Sequence, residues 1–213
     1  MTEENFPSPN PVHRRMDLVV HIFGLAMILT AGGMLVHKTA NAFEHTVVLA
    51  VVLYAASALL SNVASCFYHF MPWPERRILL RRIDHAAIYL SITGTFTPFF
   101  VLGGTTWTFS LLWICWGLTF VAIWSKVTSE TVKSRWSTAS YLGLGAIGLS
   151  ALPDLTNLPV ASLWCIIGGS VCYVIGTAFY VRKTMPFRYA IWHTCVTIGG
   201  AVMFAGVWMA VFA

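Results

Sequence analysis

The stretch "RRIDHAAIYLSITGTFTPFF", residues 81–100, begins with two arginines and continues as an apolar run. A helix that crosses a bilayer needs about 20 mostly apolar residues, and the run 84–103 has that length. Basic residues gather at the cytoplasmic ends of such helices. The stretch therefore predicts a membrane-spanning helix whose first residues lie on the side of the membrane that carries Arg81 and Arg82.

The rest of the chain has the composition of a multi-pass membrane protein. Of its 213 residues, 57% are hydrophobic and only 10% are charged, whereas soluble domains carry about 25% charged residues. Runs of this length are too long and too uniformly apolar for the strands of a membrane barrel. We therefore predict an all-α bundle of seven transmembrane helices, at approximately 17–37, 46–70, 84–103, 107–125, 138–153, 160–181 and 189–212.

The basic residues predict the orientation of this bundle. All of the 13 lysines and arginines except Lys38 fall before the first span or in the links 2–3, 4–5 and 6–7, on one side of the membrane. The positive-inside rule makes that side cytoplasmic, so the N-terminus is inside and the C-terminus outside. Residues 1–16 are then a cytoplasmic tail and residues 17–213 the membrane domain. The formal net charge of +5 follows from topology and does not indicate a nucleic-acid partner.

Ionisable residues inside spans are costly and indicate function. With the predicted orientation, His69 at the end of span 2 and Asp84 at the start of span 3 lie near the cytoplasmic face. His193, one turn into span 7, lies at the same depth, and His21 in span 1 lies at a similar level. His85 follows Asp84 directly and points about 100° away from it on an ideal helix.

Two polar residues share helical faces with these histidines. Ser65 precedes His69 by four residues and Tyr189 precedes His193 by four, a spacing that puts each pair on one face. Two histidines and Asp84 could supply the three protein ligands of a catalytic zinc site. The residues alone also allow a plain polar network, with Asp84 as a helix N-cap.

The motifs around these residues resemble the hemolysin III family, which is related to the adiponectin and progestin receptors. The similar segments are "SCFYHF" (65–70), "RRIDHAAIYLSITGTFTPFF" (81–100), "GGSVCYVIGTAFY" (168–180), "AIWH" (190–193) and "HIFG" (21–24). The resemblance implies a seven-helix protein with a cytoplasmic N-terminus, located in a bacterial plasma membrane. It also implies zinc near the cytoplasmic leaflet.

By the family's pattern, His69 and His193 are zinc ligands, Asp84 is the carboxylate that holds the site's water, and Ser65 lines the site as a second catalytic residue. The sequence departs from the pattern at Tyr189, where a second span-7 histidine is expected, and at Met203, where a further histidine is often found.

Three alternatives follow from these departures. Asp84 binds the metal directly, or Tyr189 replaces the missing ligand as a phenolate, or the cluster is a hydrogen-bonded network without zinc.

The resemblance implies membrane lipids as partners and suggests one activity, zinc-dependent hydrolysis of a lipid amide or ester such as a ceramide. Asp84 would act there as general base. The alternatives are a non-enzymatic lipid sensor or membrane-homeostasis protein, cytolysis by pore formation as the family name implies, and a structural bundle held by polar contacts between helices. No predicted span carries a polar stripe long enough to line a pore.

Overall fold

The computed structural model describes residues 6–128 and 134–213, and within those ranges the chain is helical and has no β-strand. Each predicted span overlaps one helix, which confirms the all-α prediction for the described residues. The first five residues of the predicted tail and Lys133 lie outside these ranges. The helices are α1 (Pro11–Ala40), α2 (His45–Phe70), α3 (Arg77–Gly103), α4 (Thr106–Thr128), α5 (Ser134–Leu149), α6 (Val160–Tyr180) and α7 (Arg188–Phe212).

Six of these helices are long and apolar enough to cross a membrane, judged over the described residues by length and composition. They are all except α5, which has 16 residues. Large apolar side chains remain exposed on the outer helices, for example Trp113 at 74% and Val121 at 68%. Such a surface fits lipid rather than water. The protein is therefore a multi-pass membrane protein.

Helix α1 begins earlier than the sequence predicted. Pro11 occupies its first turn, and the side chain of Asn10 accepts hydrogen bonds from the backbone N–H groups of Val12 and His13, at 2.8 and 3.4 Å. A proline at the first helical position after an asparagine N-cap starts a helix well. Residues 11–16 of the predicted tail are thus helical. Farther along, α1 contains a π-helical turn at Ile28–Gly32.

Helix α3 is the centre of the bundle, because two thirds (67%) of its most apolar window is buried, against 22–33% in the other five long helices. It packs against α2, α4, α5 and α7. Phe99 and Phe100 on α3 are fully buried in the core. Helix α3, which contains residues 81–100, is therefore the inner helix around which the others are arranged.

Helix α5 and the segment that follows it pack against α3. In the middle of α5, the Tyr141 hydroxyl donates to the carbonyl of His85 at 2.9 Å. Beyond its end, Asn157 donates to the carbonyl of Leu102 at 2.9 Å, and Asp154 accepts from the Thr105 hydroxyl. The segment from α5 to residue 157 thus contacts α3 from His85 to Leu102, although α5 itself is short.

Helices α2 and α3 approach each other closely at Gly94. A Cβ added at Gly94 would lie 1.8 Å from the Ser57 hydroxyl, 2.7 Å from the Ser57 Cβ and 3.3 Å from the Leu53 carbonyl oxygen. Small residues permit such contacts between membrane helices, where close packing drives association. A larger residue at position 94 would have to push the two helices apart.

We expect Gly94→Ala to destabilise the protein by about 1–3 kcal/mol, because overpacking forces backbone shifts. Gly117→Ala is the matched control, since no atom of the described residues lies within 4 Å of a Cβ added there and alanine favours the helix. Thermal unfolding in one detergent should give a lower melting temperature for Gly94→Ala only. Equal melting temperatures for Gly94→Ala and the unmodified protein would contradict the packing described here.

Candidate metal centre

Three helices bring their polar faces together at one end of the bundle. On α1, Asp17, His21 and Gly24 are buried at intervals of four and three residues, which puts them on one helical face. Ser65 and His69 form the corresponding buried pair on α2. His193 on α7 completes the group. Because all three faces turn inward at the same level, their polar side chains meet away from lipid.

The carboxylate of Asp17 lies at the centre of this cluster and is 1% exposed. Its Oδ1 is 2.6 Å from Nδ1 of His193 and 3.4 Å from Nδ1 of His21, and its Oδ2 is 2.9 Å from Nδ1 of His69. The imidazole rings lie close together, with centroids 4.1 Å apart for His21 and His193 and 4.8 Å apart for His69 and His193. One carboxylate therefore contacts a histidine from each of three helices.

The hydroxyl of Ser65 closes the cluster on its other side. Its Oγ lies 3.0 Å from Nε2 of His21 and 3.4 Å from Nε2 of His193. Nδ1 of His21 must donate to the backbone carbonyl of Asp17 at 2.9 Å, because a carbonyl only accepts. Nδ1 of His193 likewise donates to the ionised Asp17 carboxylate.

In this arrangement the Ser65 hydroxyl cannot donate a hydrogen bond to both rings. With protons on both Nδ1 atoms, the Nε2 atoms of neutral His21 and His193 are both acceptors, and a serine hydroxyl has one hydrogen to donate. Either one ring carries a second proton, or one Nε2 takes a different partner. The cluster can therefore hold an additional positive charge, as a proton or as a cation.

A second observation concerns Oδ2 of Asp17. It is buried and has no hydrogen-bond partner among the residues that the structure describes, although it lies 2.9 Å from Nδ1 of His69. The distance suits a hydrogen bond but the direction does not, so we take the contact as electrostatic. A buried carboxylate oxygen without a partner is costly. A cation placed between Oδ2 and the His69 ring would remove that cost.

The donor set fits a transition metal. One donor atom each from Asp17, His69 and His193 lies within 4.8 Å of the others, and two imidazoles with one carboxylate are ligands that zinc uses in catalytic sites. Ligands on a tetrahedral zinc are about 3.3 Å apart. The contacts of 2.6 and 2.9 Å would therefore open by about half an ångström around an ion.

The structure brings together most of the residues that the sequence singled out. His69, His193 and Ser65 are within the cluster. Asp84 is buried on α3 close enough to Ser65 and His69 to interact with both, but it is not one of the three clustered donors. The half-buried Tyr189 ring lies edge-on to His69, with centroids 4.9 Å apart.

His85 is not one of the three clustered donors. Its ring lies edge-on to that of Tyr68, with centroids 6.4 Å apart.

Asp17 is the functional candidate that the sequence analysis missed. It stands at the boundary of the first apolar run, where a carboxylate is easily taken as the end of the polar tail. The available signal was its position four residues before His21, the same spacing as Ser65 to His69 and Tyr189 to His193.

We expect Ser65→Ala to destabilise the protein by about 1–3 kcal/mol, because it leaves at least one of the Nε2 atoms of His21 and His193 buried without a partner. Ser61→Ala, one turn earlier on α2, is the control and should change little. Thermal unfolding of both variants in one detergent provides the comparison. A neutral effect of Ser65→Ala would mean that the two rings find other partners.

Comparisons with known proteins identify the family of this chain. A family model described as "Haemolysin-III related" matches residues 12–204. "Hemolysin-3 homolog" of Bacillus subtilis (strain 168) is 37% identical over 139 residues, and "Hemolysin-3" of Bacillus cereus is 34% identical over 140 residues. Each match covers 64% of this chain and less than two thirds of the relative, 65% and 63% respectively. Because the family model matches most of its length, the chain belongs to the haemolysin-III-related family of membrane proteins.

Proposed function

We propose that this protein is an intramembrane zinc-dependent hydrolase that cleaves an amide or ester of a membrane lipid. The observation that carries the proposal is the cluster of Asp17, His69 and His193, whose donor atoms lie within 4.8 Å of one another. Buried ionisable groups are expensive in a membrane domain, and they persist where function requires them. Two histidines and one carboxylate are a ligand set of known zinc hydrolases.

In this proposal Asp17, His69 and His193 hold the metal. Zinc bound there would polarise the carbonyl of the substrate and acidify a water molecule. Asp17 is then the third metal ligand, in place of Asp84 or Tyr189, the two alternatives that the sequence suggested. Asp84 is then left free for proton transfer.

Two neighbouring side chains have separate roles in the reaction. The carboxylate of Asp84 accepts the proton of the attacking water and returns it to the leaving group. Its burial, and its position near Ser65 and His69, support this role. The Ser65 hydroxyl holds the His21 and His193 rings in place through their Nε2 atoms. It is thereby a positioning residue.

We propose further that the chain crosses the plasma membrane seven times, with its N-terminus and the cluster on the cytoplasmic side. The alternation of basic residues supports this orientation. The contacts of α5 support the seventh crossing, since its middle meets His85 and the segment after its end meets Leu102 and Thr105, and 17 residues of helix between His85 and Leu102 correspond to about 25 Å. An odd number of crossings puts the two termini on opposite sides.

One observation favours a second candidate, a non-enzymatic membrane protein that senses lipid. Each histidine of the cluster already has a contact with Asp17, and two also contact Ser65, without any ion. A network of this kind fixes three helices against each other. A lipid that changes the helix spacing would alter the network directly.

Metal analysis tests the ligand set. We expect protein purified without chelators to carry zinc, and we expect Asp17→Ala, His69→Ala and His193→Ala each to reduce it to background, because each removes one of three ligands. His37→Ala, which changes an exposed histidine at the far end of α1, should keep the metal. Mass spectrometry of the metal content, with gel filtration to check folding, gives the comparison. Wild-type protein without zinc would remove the basis of the hydrolase proposal.

Enzyme and sensor are distinguished by an activity assay. With labelled ceramide in mixed micelles, we expect hydrolysis by the wild type and a loss of about 10²-fold or more in Asp84→Asn, the range of a general base, with zinc content unchanged. Equal rates in the two proteins would contradict the role of Asp84. Zinc binding with no hydrolysis by the wild type would favour the sensor.

A further inference from the structure

A small polar cavity lies beside the histidine cluster, at the same end of the bundle. It has a volume of about 130 Å³, enough for about four water molecules. One wall is the segment Pro7–Ser8–Pro9, which precedes α1, and the opposite wall is the α6–α7 link with the first turn of α7. Its lining residues are Pro7, Ser8, Pro9, His13, Lys183, Met185, Phe187, Arg188, Tyr189 and Ala190.

The charged residues that line this cavity are all basic. Lys183 and Arg188 line it together with His13, and none of the lining residues is acidic. Within the described residues, neither Lys183 nor Arg188 forms an ion pair with a carboxylate, since the ion pairs found there all join Asp17 to histidines. Two cations that share a cavity repel each other unless an anion lies between them.

The Arg188 guanidinium is held in a defined position. It lies over the ring of Tyr189, 4.4 Å from the centroid, and 5.6 Å from the centroid of Tyr180. Stacking on an aromatic face leaves the N–H groups at the edge of the guanidinium available, and their fork matches the oxygens of a phosphate. The Arg188 side chain can therefore donate hydrogen bonds to an anion with several oxygens.

The backbone at the start of α7 also favours an anion in this cavity. Arg188, Tyr189 and Ala190 are the first residues of the 25-residue helix α7, and no described side chain caps its start. The uncapped N–H groups and the helix dipole favour negative charge at this end. The ring of Phe187, just before the helix, lies against the ring of His13 with centroids 4.1 Å apart, which joins the two walls.

We propose that this cavity binds a phosphate group, carried by an anionic membrane lipid or free in solution. It lies at the headgroup level of the proposed topology, and Tyr189 connects it to the histidine cluster, with its ring 4.9 Å from that of His69. Phosphate binding here requires no metal in the cluster. The site therefore stands independently of the hydrolase proposal.

The test compares variants of the cavity with a matched surface variant. Native mass spectrometry of the purified full chain, with phosphatidic acid titrated against phosphatidylcholine, measures lipid binding. A parallel titration with inorganic phosphate measures free phosphate through the melting temperature. We expect Lys183→Gln with Arg188→Gln to weaken the binding of at least one probe about tenfold or more, because the charge-assisted hydrogen bonds are lost. Arg182→Gln removes a neighbouring exposed cation that does not line the cavity, and it should retain binding.

The outcomes separate the sources and decide the proposal. Loss of phosphatidic acid binding in the double variant identifies a lipid phosphate, and loss of the inorganic phosphate effect alone identifies a free one. Unchanged binding of both probes overturns the proposal, as does an equal loss in Arg182→Gln, which would indicate diffuse surface charge. If the double variant does not fold, Lys183→Gln alone, at an exposed position, takes its place under the same criteria. Zinc content measured in the same samples should not change.

Discussion

The buried carboxylate of Asp17 is the group on which this end of the bundle depends. An ionised carboxylate is costly among apolar helices unless neighbouring polar groups offset its charge. Histidines from α1, α2 and α7 meet that requirement, and they do so only when the three helices stand at one fixed rotation and height. The sequence-distant ends of the chain, residues 17 and 193, are thereby joined directly.

Apolar packing and the polar cluster make different contributions to the bundle. The apolar core around α3 supplies close packing, with buried phenylalanines and the contact at Gly94, but apolar packing alone leaves helix rotations poorly specified. Directional polar contacts specify them. The free Oδ2 of Asp17 and the single hydrogen of Ser65 make that network incomplete by one positive charge, so the feature that fixes the geometry also creates the capacity to bind a cation.

Much of this could be predicted from the sequence, for identifiable reasons. Apolar length and basic links predicted the helices, and equal depth predicted that His69 and His193 lie close together. Asp17 was missed because a carboxylate at the edge of an apolar run looks like a boundary residue, and only the tertiary structure reveals that its helix continues outward to Pro11. The distinction between Asp17 and Asp84 as partners of the histidines depends on helix rotation. Two carboxylates at one depth are equivalent until the packing of α1 against α7 is known.

Helix α5 has a consequence for the surrounding lipid. Its 16 described residues, Ser134–Leu149, correspond to about 24 Å along the axis, while the hydrocarbon core of a bilayer is about 30 Å thick. If α5 crosses the membrane as proposed, the lipid beside it must become thinner or the helix ends must draw polar groups inward, at a cost for each ångström of mismatch. The bilayer would then be deformed on one flank of the protein, and thinner membranes would accommodate that flank better than thick ones.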